Sequence, residues 1–233
     1  MRLLFSVLAL TILSACGSGG PPPPDWKSDS SDLIERYKKH ALLGENLLAE
    51  RYFQQAITAT GGAGRITETA RLWLVHCATR RASLLDDDCH DYAGLAKVET
   101  STDDRAYYQF ITLDWRTLDP ALLPAQYASL VRAEPAVLNA TISAIKDPLS
   151  RLLAASLVVQ RRQADDATLS MAAETASSQG WRQPLLVYLR LLETRAETLG
   201  NKAEQLNYAA RIRLVEDALH LLPANRVEGV GPP

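Results

Sequence analysis

Apolar side chains recur at intervals of three and four residues along most of the chain. One such stripe begins at Leu33, Ile34 and Tyr37 and is followed by Gly44, and a later one is followed by the glycine-rich cluster at 61–64. This period is typical of amphipathic helices, and glycine often marks the end of a helix. No run of alternating β-branched residues indicates a strand. The pattern therefore predicts an all-α fold.

Caps and breakers place the helices of the N-terminal half. We expect the first helix to begin at Ser31-Asp32, because Asp32 precedes Glu35 by three residues in the manner of a capping box. A later helix is predicted over Arg65–Leu85, with an interruption at Asp86–Asp88. The pair Asp103-Asp104 then offers a cap for a helix that runs towards Trp115.

Three acidic-proline pairs stand in the middle of the chain, at Asp119-Pro120, Glu134-Pro135 and Asp147-Pro148. An acidic residue before a proline is a favourable helix start, because the fixed φ of proline suits the first turn and the carboxylate accepts from free N–H groups. The pairs predict consecutive helices over roughly 120–132, 135–146 and 148–162.

The C-terminal third predicts three longer helices. One begins at Asp165-Asp166 and ends near Gly180, and the next carries Pro184 in its first turn. The last covers about 202–222, with its apolar stripe at Leu206, Ala210 and Leu214, and Pro223 stops it. The tail over 224–233 is expected to be loose.

Short connections between these helices predict antiparallel hairpins in one all-helical domain over 31–223. Three fragments carry the spacing of a helical repeat: Trp181 with Tyr188, Ala218 with Pro223, and Leu43-Gly44 with Ala56. In these fragments the chain is similar in part to tetratricopeptide repeats. The resemblance implies a solenoid of stacked hairpins, and an irregular helical bundle is the alternative.

The first residues have the pattern of an export signal. Arg2 supplies a positive charge, and the apolar run over 3–13 is too short to span a membrane. The sequence Leu13-Ser14-Ala15-Cys16 then resembles the lipobox of bacterial lipoproteins. The resemblance implies removal of residues 1–15 and acylation of Cys16. An ordinary secretory signal followed by a chance cysteine is the alternative.

The lipobox resemblance also implies a location. It places the chain in a bacterial cell envelope, bound to membrane lipid through Cys16, because two or more acyl chains hold a protein firmly. Gly17, which is not aspartate, suits an outer-membrane lipoprotein that faces the periplasm. Residues 16–30, with glycines and then Pro21 to Pro24, are expected to form a flexible tether.

Composition and charge narrow the class of protein. The 233 residues are 47% hydrophobic and 22% charged, with a formal net charge of -2. These values are ordinary for a globular domain with a sizeable core. There is no basic excess or basic stripe, so a nucleic-acid partner is not expected.

Cys77 and Cys89 remain after lipidation of Cys16, and an even pair in an exported protein predicts a disulfide. The flanking residues His76 and His90 raise a zinc site as an alternative, although adjacent residues on a helix point about 100° apart. Two free thiols are the third possibility. A disulfide requires Cα atoms within about 7 Å of each other.

No motif for a nucleophile, a general base or a phosphate loop is found, so no catalytic, cofactor-binding or metal-ligating residue is assigned and the chain is not expected to be an enzyme. The first hypothesis is a helical scaffold or assembly factor that binds another envelope protein. The alternatives are a peptidoglycan-acting enzyme or its accessory subunit, and a small-ligand carrier. A deep cleft with a buried glutamate would favour the enzyme.

Overall fold

A computed structural model describes residues 23–220, and within this range the chain is all-α, as predicted. The eleven α-helices of the described range are α1 (Asp25–Leu43), α2 (Asn46–Gly62), α3 (Ile66–Ala82), α4 (His90–Leu95), α5 (Thr102–Ile111), α6 (Ala125–Ala128), α7 (Leu138–Ser143), α8 (Pro148–Gln160), α9 (Asp166–Ser178), α10 (Arg182–Thr198) and α11 (Lys202–His220). Single 3-10 turns lie at Pro120–Leu122, Leu130–Arg132 and Pro135–Val137.

Neighbouring helices pack as hairpins, and α8 lies in the core between them. The pairs α1 with α2, α9 with α10, and α10 with α11 pack along their lengths, and α3 packs on α8. In α8, the seven residues from Leu152 to Val158 are all buried. The end of α1 also contacts α10, so the first hairpin touches the last. Arg182 makes part of this contact by donating to the carbonyl oxygen of Leu43.

The first helix begins earlier than predicted. It starts at Asp25 with Pro24 at the N-cap, not at Ser31-Asp32, so residues 25–30 are helical and the prediction of a tether there is wrong. Pro24 has a φ of -56°, and Asp25 adds a negative charge in the first turn, where it stabilises the helix dipole. The predicted signal peptide and the tether residues up to 22 lie outside the described range.

The predicted helices over 120–132 and 135–146 are wrong in extent. The first is divided by Pro124, because the residue before a proline is excluded from the helical region and Leu123 is extended. The second consists of one 3-10 turn followed by the six residues of α7. Only the third pair begins a long helix, where Asp147 Oδ2 accepts from the Ser150 N–H at 2.7 Å.

Two other predicted starts have different outcomes. Asp165 caps α9 as expected, since its Oδ1 accepts from the Thr168 N–H at 2.7 Å. The cap of α5 is Ser101, whose hydroxyl accepts from the Asp104 N–H at 3.0 Å. Asp103 and Asp104 therefore lie in the first turn of α5, where a carboxylate interacts favourably with the helix dipole.

The last helix packs through a different face from the stripe identified in the sequence. Its buried residue is Ile212, which packs with Leu186 and Leu189 of α10. Leu206 is 59% exposed and Leu214 is 71% exposed. An apolar stripe usually faces the core, so these leucines form an unpartnered surface within residues 23–220. The predicted stop at Pro223 and the tail lie outside the described range.

Gly44 lets the first and last hairpins meet. It ends α1 with a φ of +80°, and a Cβ atom at this position would overlap the side chain of Leu219. Gly44→Ala is expected to lower the free energy of unfolding by more than the 1–2 kcal/mol of left-handed strain alone. The control is Gly200→Ala, because Gly200 also has a positive φ, of +70°, but a Cβ atom added there would meet no other atom within 4 Å. Equal losses for both variants in urea unfolding would show that the contact with Leu219 is unimportant.

Tyr188 has a hydroxyl group that costs stability. Its side chain is fully buried, and its Oη has no hydrogen-bond partner among the described residues. An unsatisfied buried hydroxyl costs about 1–3 kcal/mol. Tyr188→Phe is therefore expected to raise the free energy of unfolding by about 1 kcal/mol, measured by urea denaturation. Tyr92→Phe is the control, because the buried Tyr92 hydroxyl makes a hydrogen bond of 2.7 Å with Thr100 Oγ1. Stabilisation by both substitutions, or by neither, would contradict this account.

Candidate functional site

The predicted disulfide between Cys77 and Cys89 is confirmed, and it joins α3 to the start of α4. The two Cα atoms are 5.5 Å apart, and both residues are buried. Cys89 has a φ of 55°, in the left-handed region that non-glycine residues rarely adopt. The Asp87 side chain and the disulfide both hold this turn, since Asp87 Oδ1 accepts from the Cys89 N–H at 2.8 Å.

Two arginines of α3 fix the loop that the disulfide closes. Arg80 donates to the carbonyl oxygen of Asp86 and pairs with the Asp87 carboxylate at 2.9 Å. Arg81 donates to the carbonyl oxygen of Asp87 at 2.8 Å and to Gln160 Oε1 at 2.6 Å. Arg80 and Arg81 are therefore not ordinary helix surface, because both side chains bind the loop and Arg81 joins it to α8.

A polar cavity of about 300 Å³ lies beside this loop, between α1, α2 and α3. Tyr37, Glu50, His76 and Arg80 contribute its polar lining, and Leu47, 70% exposed, lies at its edge. The Tyr37 hydroxyl donates to the carbonyl oxygen of His76 at 3.3 Å. The cavity therefore combines one acidic and one basic side chain with two aromatic ones.

His76 is held among aromatic rings. Its ring centroid lies 4.4 Å from that of Phe53 and 5.2 Å from that of Tyr37. Burial lowers the pKa of His76, while the nearby Asp87 carboxylate opposes this shift. Since Nδ1 is 3.6 Å from Asp87 Oδ2, the contact is longer than a hydrogen bond. His76 is therefore neutral at pH 7, and Arg80 supplies the positive charge that compensates Asp87.

The geometry does not support the zinc alternative built on two cysteines and two histidines. Both sulfurs are in the disulfide, and the ligand atoms that converge with them belong to Asp87 and not to either histidine. His90 is exposed, and its Nδ1 lies 2.8 Å from Asp88 Oδ1. Hydrogen bonding to Asp88 raises the pKa of His90, which suits a solvent-exposed ion pair.

The glutamates within residues 23–220 give no support to the site expected of a peptidoglycan-acting enzyme. None of the described glutamates is buried, and Glu50 at the polar cavity is exposed to solvent. A catalytic acid of that kind depends on burial to raise its pKa. The described part of the chain thus lacks the feature that would favour the enzyme hypothesis.

A second, apolar groove lies where α8, α9 and α10 come together. It has a volume of about 470 Å³. Its apolar lining consists of Val159, Ala164, Leu169, Leu191 and Leu199. Arg162 and Arg195 lie at its rim together with Thr194 and Thr198. Leu199 is 69% exposed, so the groove is open to a ligand from solvent.

Sequence reasoning did not identify either concave surface. The groove forms because α8 ends at Gln160 and the chain turns through Arg162, which has a φ of 57°. Within the described range, this turn leaves the ends of α9 and α10 uncovered on one side. Leu191 lies in α10 and Leu199 is its C-cap residue, and nothing in their spacing distinguishes a groove from a core.

Cys16, the residue predicted to carry the lipid, lies outside the described range. No helix between residues 23 and 220 combines the length and the apolar character required to span a membrane. Comparisons with protein-family models, with curated proteins and with solved structures find no match to this chain.

Proposed function

We propose that this protein is a lipid-anchored scaffold of the bacterial cell envelope that binds a partner protein in the groove between α8, α9 and α10. The single observation that carries the binding part is this open apolar groove with arginines at its rim. A groove between helices is a common receptor for an amphipathic helix, whose apolar residues at one face enter it. The anchor is supported by the sequence Leu13-Ser14-Ala15-Cys16.

The charges at the groove favour one kind of partner segment. Arg195 pairs with Asp166, whereas the side chain of Arg162 has no ion-pair or hydrogen-bond partner in the described part of the chain. An acidic residue beside the apolar face of a partner helix could pair with Arg162. Leu169 and Leu191 supply the apolar floor. We therefore expect a partner helix that has leucine-sized side chains on one face and at least one carboxylate beside them.

A small-ligand carrier is the second candidate, and the volume of the groove favours it. Small-molecule sites commonly have volumes of about 300–1,000 Å³ and mostly apolar walls, and this groove has about 470 Å³. A carrier and a scaffold differ in what stays bound after gentle extraction. A lipid or another small apolar molecule would be recovered from a carrier, and a stoichiometric protein from a scaffold.

The anchor is tested by Cys16→Ser in the full chain. The variant lacks the thiol that would receive the lipid, so it is expected to leave the membrane fraction or to accumulate unprocessed. Metabolic labelling with a radioactive fatty acid should mark the wild-type chain and not the variant. Labelling that survives Cys16→Ser would refute lipidation at this residue. Cys77 and Cys89 serve as internal controls, because both are in the disulfide.

The groove is tested by Leu199→Asp, which places a charge at an exposed position and leaves the core intact. Tagged full-length chains are extracted in mild detergent, and the co-purifying proteins are quantified. We expect Leu199→Asp to reduce a stoichiometric partner by at least tenfold, while the matched variant Leu122→Asp, at an exposed leucine outside the groove, retains it. Equal recovery from both variants would contradict binding in the groove.

A further inference from the structure

The outward face of α11 carries an apolar stripe that nothing covers within the described residues. Leu206, Ala210 and Leu214 are exposed, at intervals of four residues along 19 residues of helix. With about 100° of rotation per residue, Leu206 and Leu214 lie about 40° to either side of Ala210. The helix contacts α10 through the opposite face, at Tyr208 and Ile212. The stripe thus points away from its own hairpin.

One charged residue lies inside this stripe and limits what can cover it. Asp217 is exposed and lies only about 20° from Ala210 around the helix. It has no ion-pair partner in residues 23–220. A membrane surface would bury its carboxylate against apolar chains, which is costly without a counter-charge. A protein surface with a cation at the matching place would instead pair with it.

We propose that α11 pairs with α11 of a second copy of this chain, in antiparallel orientation about a two-fold axis at Ala210. In this arrangement, a residue that precedes position 210 in one copy faces the residue that follows position 210 by the same number of positions in the other copy. Leu206 therefore meets Leu214 of the second copy, and Ala210 meets Ala210. Small residues at the crossing let two helices approach closely, and the leucines on either side fill the contact.

The charges fit this orientation and no parallel one. Lys202 lies on the same side of the helix as Asp217, and the mirrored position of Lys202 is next to Asp217. The antiparallel pair therefore forms two symmetric Lys202–Asp217 ion pairs. In a parallel pair Lys202 would face Lys202, Arg213 would face Arg213 and Asp217 would face Asp217. Lys202 donates to Gln205 Oε1 at 2.9 Å and makes no ion pair within residues 23–220, so its exposed ammonium group can pair with a carboxylate of the second copy.

A single helix pair buries less area than the 1,600 Å² of a standard interface, so the dimer is expected to be weak in dilute solution. Confinement of two anchored chains to one membrane raises their effective concentration. The test is therefore made with the full chain in isolated membranes. This choice of sample rests on the proposed anchor, and the same crosslinks measured in concentrated detergent extract do not depend on it.

The test uses cysteine crosslinking along α11. A disulfide needs Cα atoms within about 7 Å, which the proposed axis gives only near position 210. Under mild oxidation, Ala210→Cys is expected to give several-fold more covalent dimer on a non-reducing gel than Glu204→Cys, an exposed position off the stripe. Leu206→Cys and Leu214→Cys, each alone, should give little, because residues 206 and 214 are about 12 Å apart along the helix.

The ion pairs are tested in the Ala210→Cys background. Lys202→Glu alone and Asp217→Lys alone are each expected to reduce the covalent dimer, and the two together should restore it. All of these positions are on the surface, so loss of folding does not account for a change. Equal crosslinking at 204 and 210, strong crosslinking at 206 alone, or no restoration by the double reversal would overturn the proposal. None of these outcomes bears on the groove at α9 and α10.

Discussion

Replacing Phe53 with alanine is expected to lower the free energy of unfolding by about 3–5 kcal/mol. Phe53 in α2 is fully buried, and its ring lies 5.2 Å from that of Tyr37 in α1 and 4.7 Å from that of Trp73 in α3. It also contacts the His76 ring, at 4.4 Å. One side chain therefore joins three helices, and its removal leaves a cavity where they meet. Urea denaturation of the purified chain measures the loss.

The control for this experiment is Phe53→Leu. Leucine retains most of the buried volume, so the expected loss is below about 1.5 kcal/mol. The first hairpin has its own small core around Phe53, Tyr37 and Ile34. Loss of Phe53 should thus loosen α1 and α2 before the rest of the molecule, which hydrogen exchange of their amides would show. A loss of less than 1 kcal/mol in Phe53→Ala would mean that the hairpin is held mainly by other contacts.

Removing the disulfide is the second large change. The double variant Cys77→Ala and Cys89→Ala is expected to lose about 2–4 kcal/mol of unfolding free energy, because the bond joins cysteines 12 positions apart and restricts the unfolded chain. Alanine is chosen because both positions are buried and a serine hydroxyl would lack a partner there. Thermal and urea unfolding of oxidised protein give the reference.

Wild-type protein reduced with dithiothreitol serves as the matched comparison. It contains the same backbone without the bond, so its unfolding midpoint should fall close to that of the double variant. The arginine contacts to the loop remain in both, since Arg80 and Arg81 bind backbone carbonyls at Asp86 and Asp87. The loop should therefore keep its place in the folded state. A midpoint unchanged by reduction would show that the bond does not stabilise this chain.

The parts of the fold that could be predicted from sequence are those decided by local chemistry. Asp147 and Asp165 cap helices because each carboxylate accepts from a free N–H group three residues later, which is a contact within the local sequence. The disulfide followed from two remaining cysteines at a short separation. The start of α1 was missed, although Pro24-Asp25 has the same local chemistry of a fixed φ and an acidic first turn.

The parts that could not be predicted depend on tertiary contacts. In α11 two stripes are apolar, one with Leu206 and Leu214 and another with Tyr208 and Ile212. Periodicity cannot choose between them, because the choice is made by Leu189 and its neighbours on α10. The pair Glu134-Pro135 likewise begins only a 3-10 turn, in which Val137 is 49% exposed, and α7 starts after it at the buried residue Leu138.

The groove is the least predictable part of the site. Its leucines have the same helical spacing as core residues, and they line an open groove only because no helix within residues 23–220 covers the ends of α9 and α10. The polar cavity depends in the same way on the packing of α2 against α3, which brings Glu50 towards Arg80. The sequence determines which side chains each helix carries. Whether some of them line a concave surface depends on how the helices pack, which the local pattern does not determine.

Site-specific photocrosslinking in living cells tests the scaffold proposal most directly. A photoreactive side chain is placed at Thr194 or Leu199, which line the groove, and at Leu122, an exposed leucine outside it. One defined adduct with an envelope protein is expected from both groove positions, and none is expected from Leu122. Adducts with lipid alone, or the same proteins from all three positions, would contradict a partner protein in the groove.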